Sequence, residues 1–272
     1  MKDFGTNTTE NVTAQYTTAS NLNARIELHK RFSTNEYGWS NWVFDQLLFD
    51  GKKRILELGC GNGDLWRTNT QRKLANIHVV LSDFSNGMME TAKQRLEGLS
   101  HGFEFQVIDA QNIPYENQTF DMVIANHMLY HVPDRKKALA EICRVLRNDG
   151  TLYATTIGLE HLKELMELVH GFADAICYPV NSVANDFGLE SGIEQLREFF
   201  RNIKVLRYVD SLEATEANLL VDYVLSSQGF GNVTEIITGD KKKEFKGYVS
   251  SLIEKNGSIK IKKDSGMLIA SR

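Results

Sequence analysis

Three glycines fall within five positions in ILELGCGNG, residues 55–63, where an apolar run passes directly into a helical stretch opening at Asp64. No other feature constrains the fold as tightly. Glycine takes positive φ without strain and carries no Cβ, so the backbone here can bend sharply and approach another group closely. Strand, glycine turn and helix in that order begin a βαβ unit, and the flanking chain repeats the beat. Strands are expected at 54–58, 77–82, 103–108, 122–125 and 151–156. Helices are expected at 64–73, at 86–97 after a capping Ser85, and at 134–146 with Pro133 near its first turn. Short connections and apolar strands predict an α/β, doubly wound, mostly parallel sheet covered on both faces.

After Gly158 the rhythm changes. Helices are expected at 159–175, 189–200, 214–226 and 241–254 and a strand at 203–209, closing with a hairpin, 258–262 and 267–270, turned at Asp264-Ser265-Gly266. Residues 1–20 are rich in Thr, Asn and Ser with few large apolar groups, which reads as a tail or a segment ordered by ligand. Residues 22–49 carry Phe32, Tyr37, Trp39, Trp42, Phe44 and Phe49, an aromatic load that suits packed helices. The expected plan is an N-terminal lid at 1–49, a Rossmann-like core at 50–158, and helical cap insertions with the last strands at 159–272.

Composition excludes several classes. The chain has 272 residues, 42% of them apolar, enough to bury a real core. Its net charge of −4 advertises no duplex nucleic-acid partner. The 3 cysteines, Cys60, Cys143 and Cys177, are widely separated, which suits a reducing cytosol and argues against a metal site. His161 and His170 lack a spaced ligand partner, and Lys241-Lys242-Lys243 reads as a solvated helix start. No signal segment and no membrane-length apolar run is apparent, so a cytoplasmic protein is expected.

The spacing of the turn narrows its ligand. A dinucleotide fingerprint is G-x-G-x-x-G, whereas Gly59, Gly61 and Gly63 form G-x-G-x-G, and the third fingerprint position holds Asp64, an acid that would repel a pyrophosphate. No Gly-Lys-Ser/Thr closes it as a P-loop. Three acids, Glu57, Asp83 and Asp109, end successive expected strands on one edge of the sheet, and a carboxylate placed as Asp83 is can accept both hydroxyls of a ribose. At Asp109, a carboxylate could accept from an adenine amino group while the Ala110 N–H faces the ring.

These residues resemble the class I, seven-strand S-adenosylmethionine-dependent methyltransferases, and more narrowly the small-molecule branch with the ubiquinone and menaquinone biosynthesis methyltransferases. ELGCGNG, SDFSNGMMETAK, VIDAQNIPYENQTFDMVIANHMLYHVPD and ALAEICRVLRNDGTLYATT carry the likeness, strongly over residues 50–158. Arg147-Asn148-Asp149-Gly150 departs from the relatives' Lys-Pro-Gly-Gly, in a turn expected away from the cofactor. The resemblance implies that Gly59 and Gly61, with Cys60 between them, border the methionine part of S-adenosylmethionine and that Glu57 orients this loop or the amino group. It also implies that Asp83 holds the ribose, Phe84 and Met88 flank the adenine, Asp109 and Ala110 read its edge, and Asn126 lies near the sulfonium. In related enzymes an N-terminal segment folds over the cofactor, which makes Tyr16 and Arg25 candidates.

Methyl transfer is an in-line displacement that asks mainly for positioning and exclusion of water. A phenol, enol or protonated amine acceptor would also need a base, and His131 and His127 in NHMLYHVPD are the candidates, with Tyr130 as pocket wall. The expectation is methyl transfer to an O, N or C atom of a small molecule. The alternatives are a tRNA or rRNA methyltransferase, which would need a basic face, and a cofactor-binding homologue without chemistry.

Overall fold

Alternation along the strands decides the layering. In the computed structural model, which describes residues 27–51, 53–72, 76–99, 102–176, 182–226 and 232–272, successive strand residues enter two different cores. Leu56 and Leu58 of β1 (Lys53–Leu58), Val80 of β2 (Ile77–Asp83), and Val123 and Ala125 of β4 (Phe120–Asn126) join one apolar cluster. Ile55, Val79, Leu81, Met122 and Ile124 of the same strands join the other. Both faces of these strands are buried, as the apolar runs require. Outside them, β3 (Phe103–Val107) is half exposed at one sheet edge.

The helices over these faces are α1 (Trp39–Gln46), α2 (Asp64–Thr68), α3 (Asn86–Leu96) and α4 (Arg135–Val145). Ser85 caps α3 by accepting from the Met88 N–H at 3.4 Å, and Asp134 caps α4 through the Lys137 N–H at 2.9 Å. The helix α2 is shorter than expected. Asn69 donates to the Leu65 and Ser40 carbonyls and ends it after Thr68.

Seven strands form one sheet in the order β3-β2-β1-β4-β5-β7-β6, with β5 at Leu146–Ile157, β6 at Asn202–Ala214 and β7 at Ile259–Ser271. The pairs β1–β2, β1–β4, β2–β3 and β4–β5 are parallel and β5–β7 is antiparallel. The mostly parallel seven-strand fold expected is the one observed. Arg147–Gly150, expected as a turn, lies inside β5 at a register shift. Phe120 pairs with Leu146 and Met122 with Thr151, so the extra residues bulge from the ladder.

The closing hairpin is corrected outright, because 258–262 and 267–270 belong to a single strand, β7. Gly266 pairs with Thr156 in register, and Asp264 and Ser265 are buried. A Cβ on Gly266 would collide with the Leu206 carbonyl, so this glycine permits close approach of two backbones and makes no turn.

The chain divides into two compact units. One holds Tyr37–Gly158, Asp186–Tyr208 and Ser265–Arg272. The other holds the described part of 1–36 with Leu159–Asn185 and Val209–Asp264. The second unit is built from α5 (Lys163–Phe172), α8 (Ala217–Ser226), α9 (Val233–Ile236), α10 (Asp240–Asn256) and parts of β6 and β7. The helix α6 (Ser182–Phe187) contributes to both units, and α7 (Ser191–Arg197) belongs to the first. The core of the second unit includes Leu28, Leu165, Val169, Leu212, Val221, Phe245 and Ile261. Within it Lys263 pairs with the buried Asp210, and Ser33 donates to Asp210 at 3.0 Å. The Asp210 carboxyl, which burial would raise, is held below its ordinary value by Lys263 and the Asn35 N–H.

Candidate functional site

In the first unit the strand order reverses between β1 and β4, so the carboxyl ends of these strands flank the crevice where such sheets take ligands. The glycine turn follows β1 there, with Gly59 at φ 67° and Gly61 at φ 55°. The two glycines serve different ends. A Cβ on Gly59 would lie 2.8 Å from the Met128 Cβ, so the protein itself requires glycine. A Cβ on Gly61 would meet nothing within 4 Å, which leaves room for a ligand to approach the backbone. Cys60 is buried between them, its N–H bonded to the Ser82 carbonyl at 2.9 Å, and burial pushes its thiol far up and out of reactivity.

Asp83 ends β2 beside this turn. Its Oδ2 accepts the Gly61 N–H at 3.0 Å and its Oδ1 the Ser85 N–H at 2.8 Å, so the carboxylate is locked in orientation and fixes the turn in its own place. Burial raises its pKa, against the backbone N–H bonds of Ser85, Gly61 and Phe84, which favour the charged form. Phe84, the next residue, is 57% exposed, an aromatic face left open beside a fixed acid. Met88 is half-buried in the first turn of α3.

Glu57 lies deeper, 2% exposed. Trp66 Nε1 donates to its Oε2 and Asn126 Nδ2 to its Oε1, at 3.0 Å for the latter. Burial raises its pKa to about 7, the two hydrogen bonds oppose the shift, and the Asp83 charge adds to it. The Asn126 Oδ1 in turn accepts from Thr155 Oγ1 at 3.2 Å, so β1, β4 and β5 are tied by one chain of side chains. Sequence reasoning misses Trp66 and Thr155. For Trp66 the available signal is an indole three residues after the turn, on the first turn of a helix that packs back on β1.

The third acid sits differently. β3 ends at Val107, and Asp109 lies two residues beyond, with the Ile108 N–H bonded to the Asp83 carbonyl at 3.1 Å. Asp109 Oδ1 accepts the Gln111 N–H at 2.9 Å and Nε2 at 3.0 Å. Gln111 therefore holds the carboxylate, while Ala110 is buried. Glu57, Asp83 and Asp109 thus lie on one edge, joined through the β1–β2 and β2–β3 ladders.

Past β4 the chain makes a constrained bend. His127 has φ 49°, uncommon for a non-glycine residue, and its N–H is held by the Thr155 carbonyl at 3.2 Å and Oγ1 at 3.0 Å. Its ring lies 5.0 Å from Trp39 and 6.3 Å from Tyr130. Trp39 also meets Trp42 at 5.2 Å and Tyr208 at 5.3 Å, forming an aromatic wall at this end of β4. His131 ends a 3₁₀ turn, Leu129–His131, edge-on to Tyr130 at 4.5 Å. Tyr16 and Arg25, with Cys177, lie outside the described residues. No group of three potential metal ligands occurs among the described residues, and no helix there is long and apolar enough to cross a membrane.

The family described as "Methyltransferase domain" matches residues 49–229. A ubiquinone/menaquinone biosynthesis C-methyltransferase of Desulfotalea psychrophila is 34% identical over 112 residues, 41% of this chain and 44% of that protein. The demethylmenaquinone methyltransferase of Lactobacillus johnsonii is 34% identical over 115 residues, 42% of this chain and 47% of that one. The chain thus spans about half the length of these curated relatives. Among solved structures, YcgJ of Bacillus subtilis superposes with a TM-score of 0.56 at 15% identity, covering 86% of this chain and 97% of its own. The (4+2)-cyclase SpnF gives 0.52 at 18% identity, covering 94% and 97%. At such identities the likeness is one of fold, and a cyclase among the neighbours shows that this fold hosts more than one chemistry.

Proposed function

Because this chain belongs to the methyltransferase-domain family, we propose that it transfers a methyl group from S-adenosylmethionine to a small-molecule acceptor. The observation that carries the reading is Asp83, an acid fixed by two backbone N–H groups beside an open glycine turn and an exposed aromatic ring. The residues fit that cofactor. Asp83 has lone pairs left for a ribose diol, Phe84 and Met88 offer apolar contact to a base, and Gly61 leaves its backbone open to the methionine part, with Gly59 and Cys60 bordering it. Glu57 and Asn126, locked to each other, are proposed to support the glycine turn and the sulfonium end of the cofactor. Asp109 and Ala110 are proposed to read the base edge, with Gln111 orienting the acid. Tyr16 and Arg25 are proposed to complete this site. When bound, the cofactor supplies an electrophilic methyl group on a sulfonium.

What the chain contributes is placement and dryness, and for an acidic acceptor a base. The aromatic wall of Trp39, Trp42, Tyr208 and Tyr130 suits a planar acceptor, in keeping with the relatives named for quinone biosynthesis. His127 sits on that wall and His131 beside it, and these two are the candidates to take a proton from an acceptor hydroxyl. A dinucleotide is disfavoured because Asp64, at the start of α2, takes the position a pyrophosphate would need, its charge met by Arg95 of α3.

Histidine variants test the chemistry separately from binding. His131→Ala and His127→Ala should leave S-adenosylhomocysteine affinity within about threefold and lower turnover by about 10²-fold or more if the residue is the base. Wild-type turnover in both variants would remove general base catalysis from the proposal.

A further inference from the structure

At the opposite end of the strands from the glycine turn, the first unit has a cavity of about 470 Å³ lined by Lys53, Arg54, His78, Glu104, Asp121 and Arg147. These residues open β1, β2, β3, β4 and β5, so the cavity lies along the amino-terminal edge of the sheet. Register explains their convergence. Arg54 pairs with His78, and Val80 with Glu104, so these side chains share the face that Leu56 and Val80 bury further along the same strands. Arg54, His78 and Glu104 therefore stand where an apolar face ends in charge.

The two carboxylates of the cavity are already engaged. Asp121 Oδ2 accepts the Arg54 backbone N–H at 2.7 Å and Oδ1 accepts from Arg147 Nη1 at 2.5 Å. Glu104 Oε1 lies 3.0 Å from the Tyr115 hydroxyl, and Oε2 lies 3.7 Å from His78 Nε2. Lys53 pairs with Asp50, a side chain 83% exposed, in a contact that water weakens. Arg54 is the exception. Its guanidinium carbon lies 5.3 Å from the Phe120 ring centre and 5.5 Å from that of Tyr115, and no carboxylate among the described residues is in ion-pair range of it. Its buried Nε has no hydrogen-bond partner. A guanidinium beside two rings that stand edge to face, lining the cavity with no described carboxylate in ion-pair range, can offer its Nη groups to a forked oxyanion.

We propose that this cavity binds the phosphoryl group of a small metabolite, or free phosphate, with Arg54 supplying the fork and Lys53 and Arg147 the flanking charge. The lining holds three permanent cations against two carboxylates; Lys53 is shared with the exposed Asp50 and Arg147 with Asp121, which leaves Arg54 as the cation without an ion-pair partner among the described residues. The volume exceeds what one phosphate fills, so a small organic phosphate is the better fit. The inference does not depend on the reading of the other edge.

Calorimetric titration of the full chain with inorganic phosphate, pyrophosphate and glycerol 3-phosphate, at ionic strength held constant with sodium chloride, tests it. Saturable binding is expected, and tighter binding of glycerol 3-phosphate than of phosphate would identify the organic source. Arg54→Gln should weaken binding by about tenfold or more and Arg147→Gln by about threefold, with S-adenosylhomocysteine affinity unchanged in both. Should Arg54→Gln fail to fold, Arg54→Lys keeps the charge without the fork and is expected to lose most of the affinity as well. A response no greater than that to chloride, or wild-type affinity in the foldable Arg54 variant, would overturn the proposal.

Discussion

The two ends of β1 are instructive side by side. At the carboxyl end Glu57 is buried, bonded to Trp66 and Asn126 and raised to about 7. At the amino end, three residues earlier, the Arg54 guanidinium lies beside the Phe120 and Tyr115 rings with no carboxylate among the described residues in ion-pair range. At the carboxyl end, side chains of Trp66 and Asn126 and backbone N–H groups of Gly61 and Ser85 converge on two acids and hold them in fixed orientation. At the amino end, charged residues close off the apolar face and leave one cation unspent. One strand thus carries preorganised acceptors at one end and an unpaired donor at the other, and ligand chemistry follows which groups the surrounding protein leaves unsatisfied.

The largest effect is expected where the protein has no freedom. Gly59→Val combines a positive φ with a collision against Met128 and should cost roughly 3 kcal/mol or more of stability and abolish cofactor binding, checked by denaturant unfolding and calorimetry. Gly61→Ala sharpens the contrast. With nothing near its Cβ, it should cost only about 1 kcal/mol of stability for the positive φ, yet weaken cofactor binding disproportionately. Equal losses in the two measurements would mean that the open space at Gly61 is not ligand space.

Next in size is Asp83→Ala, expected to weaken S-adenosylmethionine binding by about 1–3 kcal/mol through loss of charged hydrogen bonds. Glu57 then offers a pH test. Its folded pKa lies above the unfolded value, so the folded state holds the proton more tightly and stability falls as pH rises from about 4.5 to about 7. Glu57→Gln should flatten that slope, which for a shift of this size is worth on the order of 3 kcal/mol across the window, read from urea midpoints at successive pH values. A slope that persists in the variant would assign it to another group. The smallest effect is expected at the amino end, where Arg147→Gln, breaking a half-exposed pair with Asp121, should change stability by about 1 kcal/mol or less.

Local signals in the sequence carry much of this arrangement. The strand–turn–helix at Ile55 to Asp64 and the apolar strands that follow are such signals, and the positions of β1, β2 and α3 agree with expectation to within a residue or two. So does the convergence of Glu57, Asp83 and Asp109, because strand ends in a parallel sheet share an edge. What the sequence hides depends on distant partners. Gly266 looks like a turn residue until the Leu206 backbone is seen against it. The meeting of Tyr208 with Trp39 joins residues far apart in the chain, as does the pairing of Ser33 and Lys263 with Asp210. The left-handed bend at His127 is imposed by Thr155, on another strand.

Calorimetric titration of the purified chain with S-adenosylmethionine, S-adenosylhomocysteine and NAD in parallel tests the central claim most directly. Micromolar binding of the two sulfur nucleosides, lost or sharply weakened in Asp83→Ala, with no binding of NAD, is the predicted result. Binding of NAD in their place, or affinity for the sulfur nucleosides that is indifferent to Asp83, would contradict it.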